Sequence, residues 1–70
     1  MIRADSASIR WTDAKKQWTI AIHVGAEVIK RAPGKRIPRD AADDALRAAA
    51  LETAKDDGYD VPADRVDIGR

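Results

Sequence analysis

The segment of residues 18 to 24 constrains the fold more than any other part of the chain, because large apolar side chains alternate along it with smaller or polar ones. The large apolar residues are Trp18, Ile20, Ile22 and Val24. In an extended strand all four share one face, which is typical of a strand with one buried side. Gly25 and Ala26 follow, and a glycine first in a two-residue turn supplies the positive φ that a tight hairpin requires. The sequence therefore predicts a central strand followed by a hairpin.

This hairpin also predicts the register of the next strand, which we expect over residues 27 to 32. A two-residue turn makes the pairing of opposite residues unambiguous. The expected pairs are Ile22 with Ile29 on the buried face, and His23 with Val28 and Ala21 with Lys30 on the other face. Pro33 and Gly34 end the strand, because proline fits into a sheet only at an edge or an end.

An earlier alternating segment, residues 6 to 11, predicts a strand that the polar loop of residues 12 to 17 joins to the central one. Trp11 and Trp18 flank this loop. Exposed aromatic rings can stack on nucleic-acid bases, but both tryptophans have the same parity as the buried isoleucines. This parity favours two core tryptophans that face each other across the strands.

After Pro38 the period becomes helical and predicts an alanine-rich helix of roughly residues 39 to 57. The arc expected to face the sheet holds Ala41, Ala42, Ala45, Leu46, Ala49, Ala50 and Thr53. Asp40 is placed to cap the first turn, and Gly58 follows the last turn as a C′ residue. Leu51 points toward the opposite, charged arc, so we expect this leucine to be exposed.

These elements, with a last short strand at residues 65 to 68, predict one α+β domain over residues 1 to 70. We expect a small antiparallel sheet of three to four strands covered by one α-helix, in the order β-β-β-α-β. Seventy residues support one core of modest size. Domains this small also gain burial by self-association, so both a monomer and a homodimer are consistent with the length.

The sequence lacks the constellations of most catalytic and metal sites. It has no cysteine, and His23 is its one histidine, so the usual zinc ligand sets are excluded. No Ser/His/Asp, Cys/His or paired-carboxylate pattern can be proposed from the residues either. The acidic residues 56 to 60 do not have the ligand spacing of an EF-hand, and Asp43 and Asp44 suit the first turn of a helix. We expect no enzymatic activity, no cofactor, no metal and no small-molecule substrate.

Charge is divided unevenly along the chain. Residues 1 to 39 hold nine Lys or Arg and three Asp or Glu, whereas residues 40 to 70 hold four and nine. The segment of residues 30 to 39 has five basic residues and no acidic one. The candidate phosphate contacts are Arg10, Lys30, Arg31, Lys35, Arg36 and Arg39, which Lys15 and Lys16 could extend into a patch. In the alternative interpretation the basic residues protect an edge strand and solubilise a loop, or pair with Asp40, Asp43 and Asp44.

Three strands followed by a helix, with Trp18 at the start of the second strand and basic residues on the third, resemble in outline the sheet-reading DNA-binding domains of phage-type integrases. The resemblance covers about residues 9 to 57. It implies phosphate contacts by Lys30, Arg31, Lys35 and Arg36, and a place for Arg10 on the reading face. The acidic helix departs from that pattern.

The function that the sequence favours is a small binding module, with protein–protein interaction as the first interpretation and nucleic-acid binding as the alternative. Leu51 and Val28 are the apolar residues expected on the surface, and the opposite charges of the two halves suit contact with another protein or a second copy of the chain. No apolar segment is long enough to span a membrane, and the N-terminus does not have the pattern of a signal peptide. We therefore expect a cytoplasmic location.

Overall fold

One helix packs on a four-stranded mixed sheet in the computed structural model, which describes residues 2–34 and 36–69. In chain order the elements are β1 (Ile2–Arg3), β2 (Ser6–Thr12), β3 (Gln17–Val24), β4 (Glu27–Arg31), α1 (Asp43–Asp56), β5 (Tyr59–Asp60), a short 3₁₀ turn (Ala63–Arg65) and β6 (Val66–Gly69). The strand order in the main sheet is β4-β3-β2-β6, and β1 pairs separately with β5. The predicted α+β class, with three to four main strands under one helix, is confirmed.

The hairpin between β3 and β4 has the predicted register. Ile22 lies opposite Ile29, His23 opposite Val28, and Ala21 opposite Lys30. Gly25 has φ +59°, the left-handed conformation that the two-residue turn requires. Because this register is fixed, alternate residues of both strands face the helix or face away from it as the sequence predicts.

The sheet is mixed and not wholly antiparallel, which corrects the prediction. β2 pairs antiparallel with β3 but parallel with β6, so that Ala7 lies opposite Val66 and Ile9 opposite Ile68. The helix carries the chain from one edge of the sheet to the other, and the strand that follows it enters in the direction of β2. The short parallel pair of β1 and β5, not predicted from the sequence, adds a second link between the two ends of the chain.

The helix begins later than predicted, and Asp40 does not cap it. Ala42 is the N-cap and provides no side-chain hydrogen bond. The preceding residues form a turn, in which the Ala41 N–H donates to the Pro38 carbonyl oxygen at 3.2 Å. At the other end Gly58 has φ +88° and its N–H donates to the Lys55 carbonyl oxygen at 3.0 Å, as expected for a C′ glycine.

The core lies between α1 and one face of the sheet. The largest fully buried side chains are Trp18, Ile9, Ile20, Ile22 and Leu46. Trp11 and Trp18 pair across the strands in a T-shaped contact with ring centroids 5.4 Å apart. Trp18 also donates its Nε1 hydrogen to the Pro38 carbonyl oxygen at 3.0 Å. This bond attaches the segment between β4 and α1 to the core.

Leu51 is half-buried and packs against the core cluster, in contrast to the predicted exposure. α1 contacts β5 as well as β2, β3 and β6, so a wider arc of the helix is covered than a flat sheet alone would cover. Four of the five β4 residues are exposed. The helix therefore covers one face of the sheet and leaves the other face, and the β4 edge, to solvent.

Candidate functional site

The face of the sheet opposite the helix forms a shallow concavity of about 740 Å³, which we call the open sheet face. It is lined by Ser6, Ser8, Arg10, Thr12, Lys15, Thr19, Ala21, His23, Val28, Lys30 and Asp67. These residues come from the four strands of the main sheet and from the turn between β2 and β3. All the strand residues have the parity opposite to that of the buried isoleucines, which explains why the sequence predicts a place for Arg10, His23 and Lys30 on this face.

Hydroxyl groups and short side chains make up the middle of the open sheet face. Thr12 and Thr19 lie on neighbouring strands, with their Oγ1 atoms 3.1 Å apart in a hydrogen bond. Lys30, Ala21 and Ser8 follow one another across three strands in the register of the sheet. The basic side chains of this face are thus surrounded by small side chains, and the hydroxyl groups among these can donate and accept hydrogen bonds.

Arg10 lies along the sheet toward β6. Its partner in the β2–β6 register is Gly69, and a Cβ atom added at Gly69 would lie 3.0 Å from Arg10 Cγ. Glycine at this position therefore leaves the room that the arginine side chain occupies. The guanidinium is presented near the β6 edge of the face, while Lys30 is presented from the β4 edge.

The open sheet face has an excess of positive charge. Arg10, Lys15 and Lys30 line it together with a single described carboxylate, that of Asp67. Within residues 2–34 and 36–69 none of the three cations forms a salt bridge; the pairs there are Arg31 with Asp57 and Arg47 with Asp44. These cations are therefore available to an anionic partner.

A second concavity, of about 520 Å³, lies at the end of the sheet around the two tryptophans, and we call it the tryptophan cleft. Its basic residues are Lys16, Arg36 and Arg39, and its apolar wall includes Trp11, Trp18, Pro33, Ile37 and Pro38. The guanidinium carbon of Arg39 lies 5.6 Å from the Trp11 ring centroid, in a cation–π contact. Trp11 donates its Nε1 hydrogen to Asp13 Oδ1 at 2.6 Å. One ring face of Trp11 is thus already in contact with a protein cation.

The two concavities meet at the β2–β3 turn. Lys15 lines the open sheet face, and the next residue, Lys16, lines the tryptophan cleft. Lys16 has φ +51°, a left-handed conformation that reverses the chain at this point. The positive surface therefore extends from the sheet around the turn to the cleft.

The predicted basic segment of residues 30 to 39 divides between three places. Lys30 lies on the open sheet face, while Arg36 and Arg39 line the tryptophan cleft. Arg31 turns away from both and pairs with Asp57 through Nε at 2.5 Å, so its charge is offset. Lys35 lies outside the described residues. The structure thus brings Arg10 and Lys30 to one face and separates Arg31 from them.

Sequence reasoning did not name the hydroxyl residues of the open sheet face as candidate contacts. Ser6, Thr12 and Thr19 belong to this surface, and the signal that identifies them is their parity in the strands. The sequence predicts Lys15 and Lys16 only as extensions of the basic patch, whereas in the structure Lys15 lines one concavity and Lys16 the other.

Over residues 2–34 and 36–69 no group of three or more His, Cys, Asp or Glu side chains is placed to hold a metal ion. In the same part of the chain no helix has the length and apolar character needed to cross a membrane.

The sequence matches no protein-family profile, no curated protein and no solved structure at the level that indicates a relative. The case for a function therefore depends on the chemistry of the two concavities.

Proposed function

We propose that this protein binds nucleic acid through the open sheet face, with Arg10, Lys15 and Lys30 contacting backbone phosphates. The observation that carries the proposal is that these three unpaired cations share one uncovered face of the sheet. Lysine and arginine that neutralise phosphates release condensed counterions, and this release provides most of the affinity of such surfaces.

The composition of the face supports a polyanion more than an apolar protein surface. The centre of a protein–protein interface is enriched in aromatic and large apolar side chains. On the open sheet face Val28 is the one large apolar residue among the described lining residues, and the middle holds Ser, Thr and Ala. Hydroxyls and arginine are common donors to phosphate and sugar oxygens.

The tryptophan cleft extends the proposed contact surface. Lys16, Arg36 and Arg39 lie beyond the β2–β3 turn, so a strand that crosses the open sheet face past Lys15 meets a second group of cations. Trp11 contacts Arg39 and Trp18, and we assign it no base-stacking role. The tryptophan cleft thus contributes phosphate contacts and not base recognition.

Fluorescence anisotropy with a short labelled DNA duplex at low salt tests the proposal. Without base-specific contacts we expect a dissociation constant of about 10⁻⁴ to 10⁻⁶ M near physiological salt, and tighter binding at lower salt. The plot of log K against log salt, between about 50 and 200 mM, should have a slope between about −3 and −5 for three to six phosphate contacts. Labelled single-stranded DNA and RNA, measured in parallel, identify the preferred form.

Matched charge reversals assign the binding to the open sheet face. Lys30→Glu should weaken binding strongly, whereas Lys55→Glu, with the same change in net charge on the exposed surface of α1, should change it little. Equal effects of the two variants would show that only net charge matters, and would refute a site on this face. No binding to DNA or RNA at low salt would refute the proposal itself.

An acidic protein is the alternative partner for the same cations. Polyglutamate, added as a competitor at equal charge concentration, distinguishes the two. If unlabelled nucleic acid displaces the labelled DNA and polyglutamate does not, the result supports the proposal. If polyglutamate displaces the DNA equally well, an acidic polypeptide is the favoured partner. Protein binding centred on Leu51, the first interpretation from the sequence, has less support because that side chain packs against the core.

A further inference from the structure

β4 is the outermost strand of the main sheet on the side away from β6, and its outer edge has no partner strand among the described residues. Four of its five residues are exposed, and Val28 keeps 51% of its surface accessible. An exposed edge with unpaired backbone groups is a template for the pairing of another strand.

The backbone groups on this edge can be identified from the hairpin. The His23 carbonyl oxygen accepts the Asp5 N–H at 2.8 Å, so the peptide groups of His23 point toward β2 and away from β4. Val28 lies opposite His23 and therefore presents its N–H and C=O to the outer edge. By the same alternation Lys30 does so too, whereas Ile29 bonds to Ile22. The free donors and acceptors of the edge thus belong to Val28 and Lys30.

The sequence of β4 is complementary to itself when two copies run antiparallel with Ile29 at the centre. In this register Val28 lies opposite Lys30 of the second copy, and Glu27 lies opposite Arg31. The two residues with free backbone groups face each other, so four hydrogen bonds form across the pair. Opposite charges also meet at both ends, and the Lys30 methylenes cover the exposed Val28.

Neighbouring registers do not have this complementarity. In the register centred on Lys30, the free backbone groups of the two edges are still paired. Lys30 then lies opposite Lys30 of the second copy, and the two like charges are destabilising. In the register centred on Val28, Lys30 lies opposite the Gly25–Ala26 turn of the second copy. The strand ends at this turn, so hydrogen bonds between the two edges are lost there. The register centred on Ile29 is therefore favoured.

We propose that two copies of this protein associate through their β4 edges, in the antiparallel register centred on Ile29, to form a continuous eight-stranded sheet. The partner is a second copy because the edge matches its own sequence in backbone pairing and in charge. The proposal does not depend on nucleic-acid binding, although it joins the two open sheet faces.

Two contacts of Arg31 compete with this pairing. The first is the pair of its Nε with Asp57, which still leaves the terminal nitrogens of the guanidinium as donors for Glu27 of the second copy. In the second, Arg31 Nη1 donates to the Lys30 carbonyl oxygen at 2.9 Å. A carbonyl oxygen accepts two hydrogen bonds, so the N–H of Val28 from the second copy can still be accommodated. The interface is also small, with five residues from each strand. We therefore expect a weak dimer, with a dissociation constant of about 0.1 to 1 mM.

Sedimentation equilibrium from about 10 µM to about 1 mM tests the association at concentrations on both sides of this value. We expect the mass to rise with concentration from that of the 7.7 kDa monomer toward twice that mass. Amide hydrogen exchange over the same range tests the register. The Val28 and Lys30 amides should gain protection as concentration rises, and the Ile29 amide, already bonded within the hairpin, should not.

Charge variants mixed in trans test the pairing of side chains. Glu27→Arg and Arg31→Glu each place like charges opposite each other in a homodimer, so each alone should associate about tenfold more weakly. An equimolar mixture restores opposite charges at both ends and should associate like the original chain. Val28→Pro, which removes an edge donor not used within the monomer, should abolish association and keep the fold, as circular dichroism checks.

Several outcomes would overturn the proposal. A constant monomer mass is one, and association without concentration-dependent protection of the Val28 and Lys30 amides is another. If Val28→Pro does not fold, the mixture of charge variants decides, because failure to restore association there refutes the register. None of these outcomes depends on DNA, so the dimer and the nucleic-acid site fail separately.

Discussion

The two faces of the sheet are built from the same strands and differ in almost every other property. On the covered face Ile9, Ile20 and Ile22 are completely buried under α1. On the open sheet face the residues between them are serine, threonine, alanine, arginine and histidine, half-buried or exposed apart from Ser8. One set of alternate residues therefore holds the domain together, and the other set is free to serve a partner.

Replacing Ile20 with alanine tests the covered face. Ile20 is fully buried in the central strand, so the substitution removes apolar contacts and leaves a cavity. We expect a loss of about 2 to 5 kcal/mol in the free energy of unfolding, measured by urea denaturation. Thr19→Ala, one residue away on the other face, removes the hydrogen bond to Thr12 and should cost about 1 kcal/mol or less. Equal losses for the two variants would contradict the division.

Enlarging an alanine on each face tests the same division by overpacking. Ala50 of α1 is completely buried against the sheet, so Ala50→Leu should cost about 1 to 3 kcal/mol in the free energy of unfolding. Ala21 lies on the open sheet face, and Ala21→Leu should change that free energy by less than about 0.5 kcal/mol. Thermal denaturation of both variants provides the measurement. A large loss for Ala21→Leu would show that the open face is as tightly packed as the covered one.

Gly69→Ala tests the position of Arg10 on the open face. The added Cβ would lie 3.0 Å from Arg10 Cγ, and since that side chain is flexible we expect it to move at a cost of about 1 kcal/mol or less. Binding to the DNA duplex should weaken as the guanidinium is displaced. Unchanged DNA affinity in the Gly69 variant would remove Arg10 from the proposed contacts.

Lys30→Ala should have the smallest effect on stability and a defined effect on binding. Lys30 is exposed and forms no described salt bridge, so its loss should change the free energy of unfolding by less than about 0.5 kcal/mol. If Lys30 contacts one phosphate, the salt-dependence slope of DNA binding should become less steep by about 1. A salt titration by anisotropy measures this slope. The same slope in the variant and the original chain would show that Lys30 makes no phosphate contact.

Local patterns predicted the hairpin and the division into faces, because a two-residue turn with Gly25 fixes the register and alternation then assigns each side chain. This placed Arg10, His23 and Lys30 correctly on the face away from the helix. The predicted cap at Asp40 was wrong because residues 38 to 41 form a turn of their own before the helix. Strand alternation does not report such a turn.

Features that depend on distant parts of the chain were not visible in the sequence. The direction and neighbour of β6 depend on where the helix delivers the chain, and β1 and β5 are too short to show alternation. Leu51 was predicted to be exposed because the helical period was compared with a single covering surface, the main sheet. In the structure β5 also contacts the helix. The site was incomplete for the same reason, since Arg36 and Arg39 reach the tryptophans through a loop whose path follows from tertiary contacts.

The parallel pairing of β2 with β6 has a consequence for how the domain folds. Ala7 and Val66 are separated by nearly the whole chain, whereas the meander of β2, β3 and β4 needs only neighbouring residues. The contacts within the meander are local and form early. The pairing of β2 with β6 closes a loop of nearly the whole chain, and this step is slow because the conformational entropy of the loop must be lost first. We expect the meander to collapse quickly and the docking of β6 to limit the folding rate. During that interval the β2 edge has no partner, and the growing or refolding chain is most exposed to aggregation.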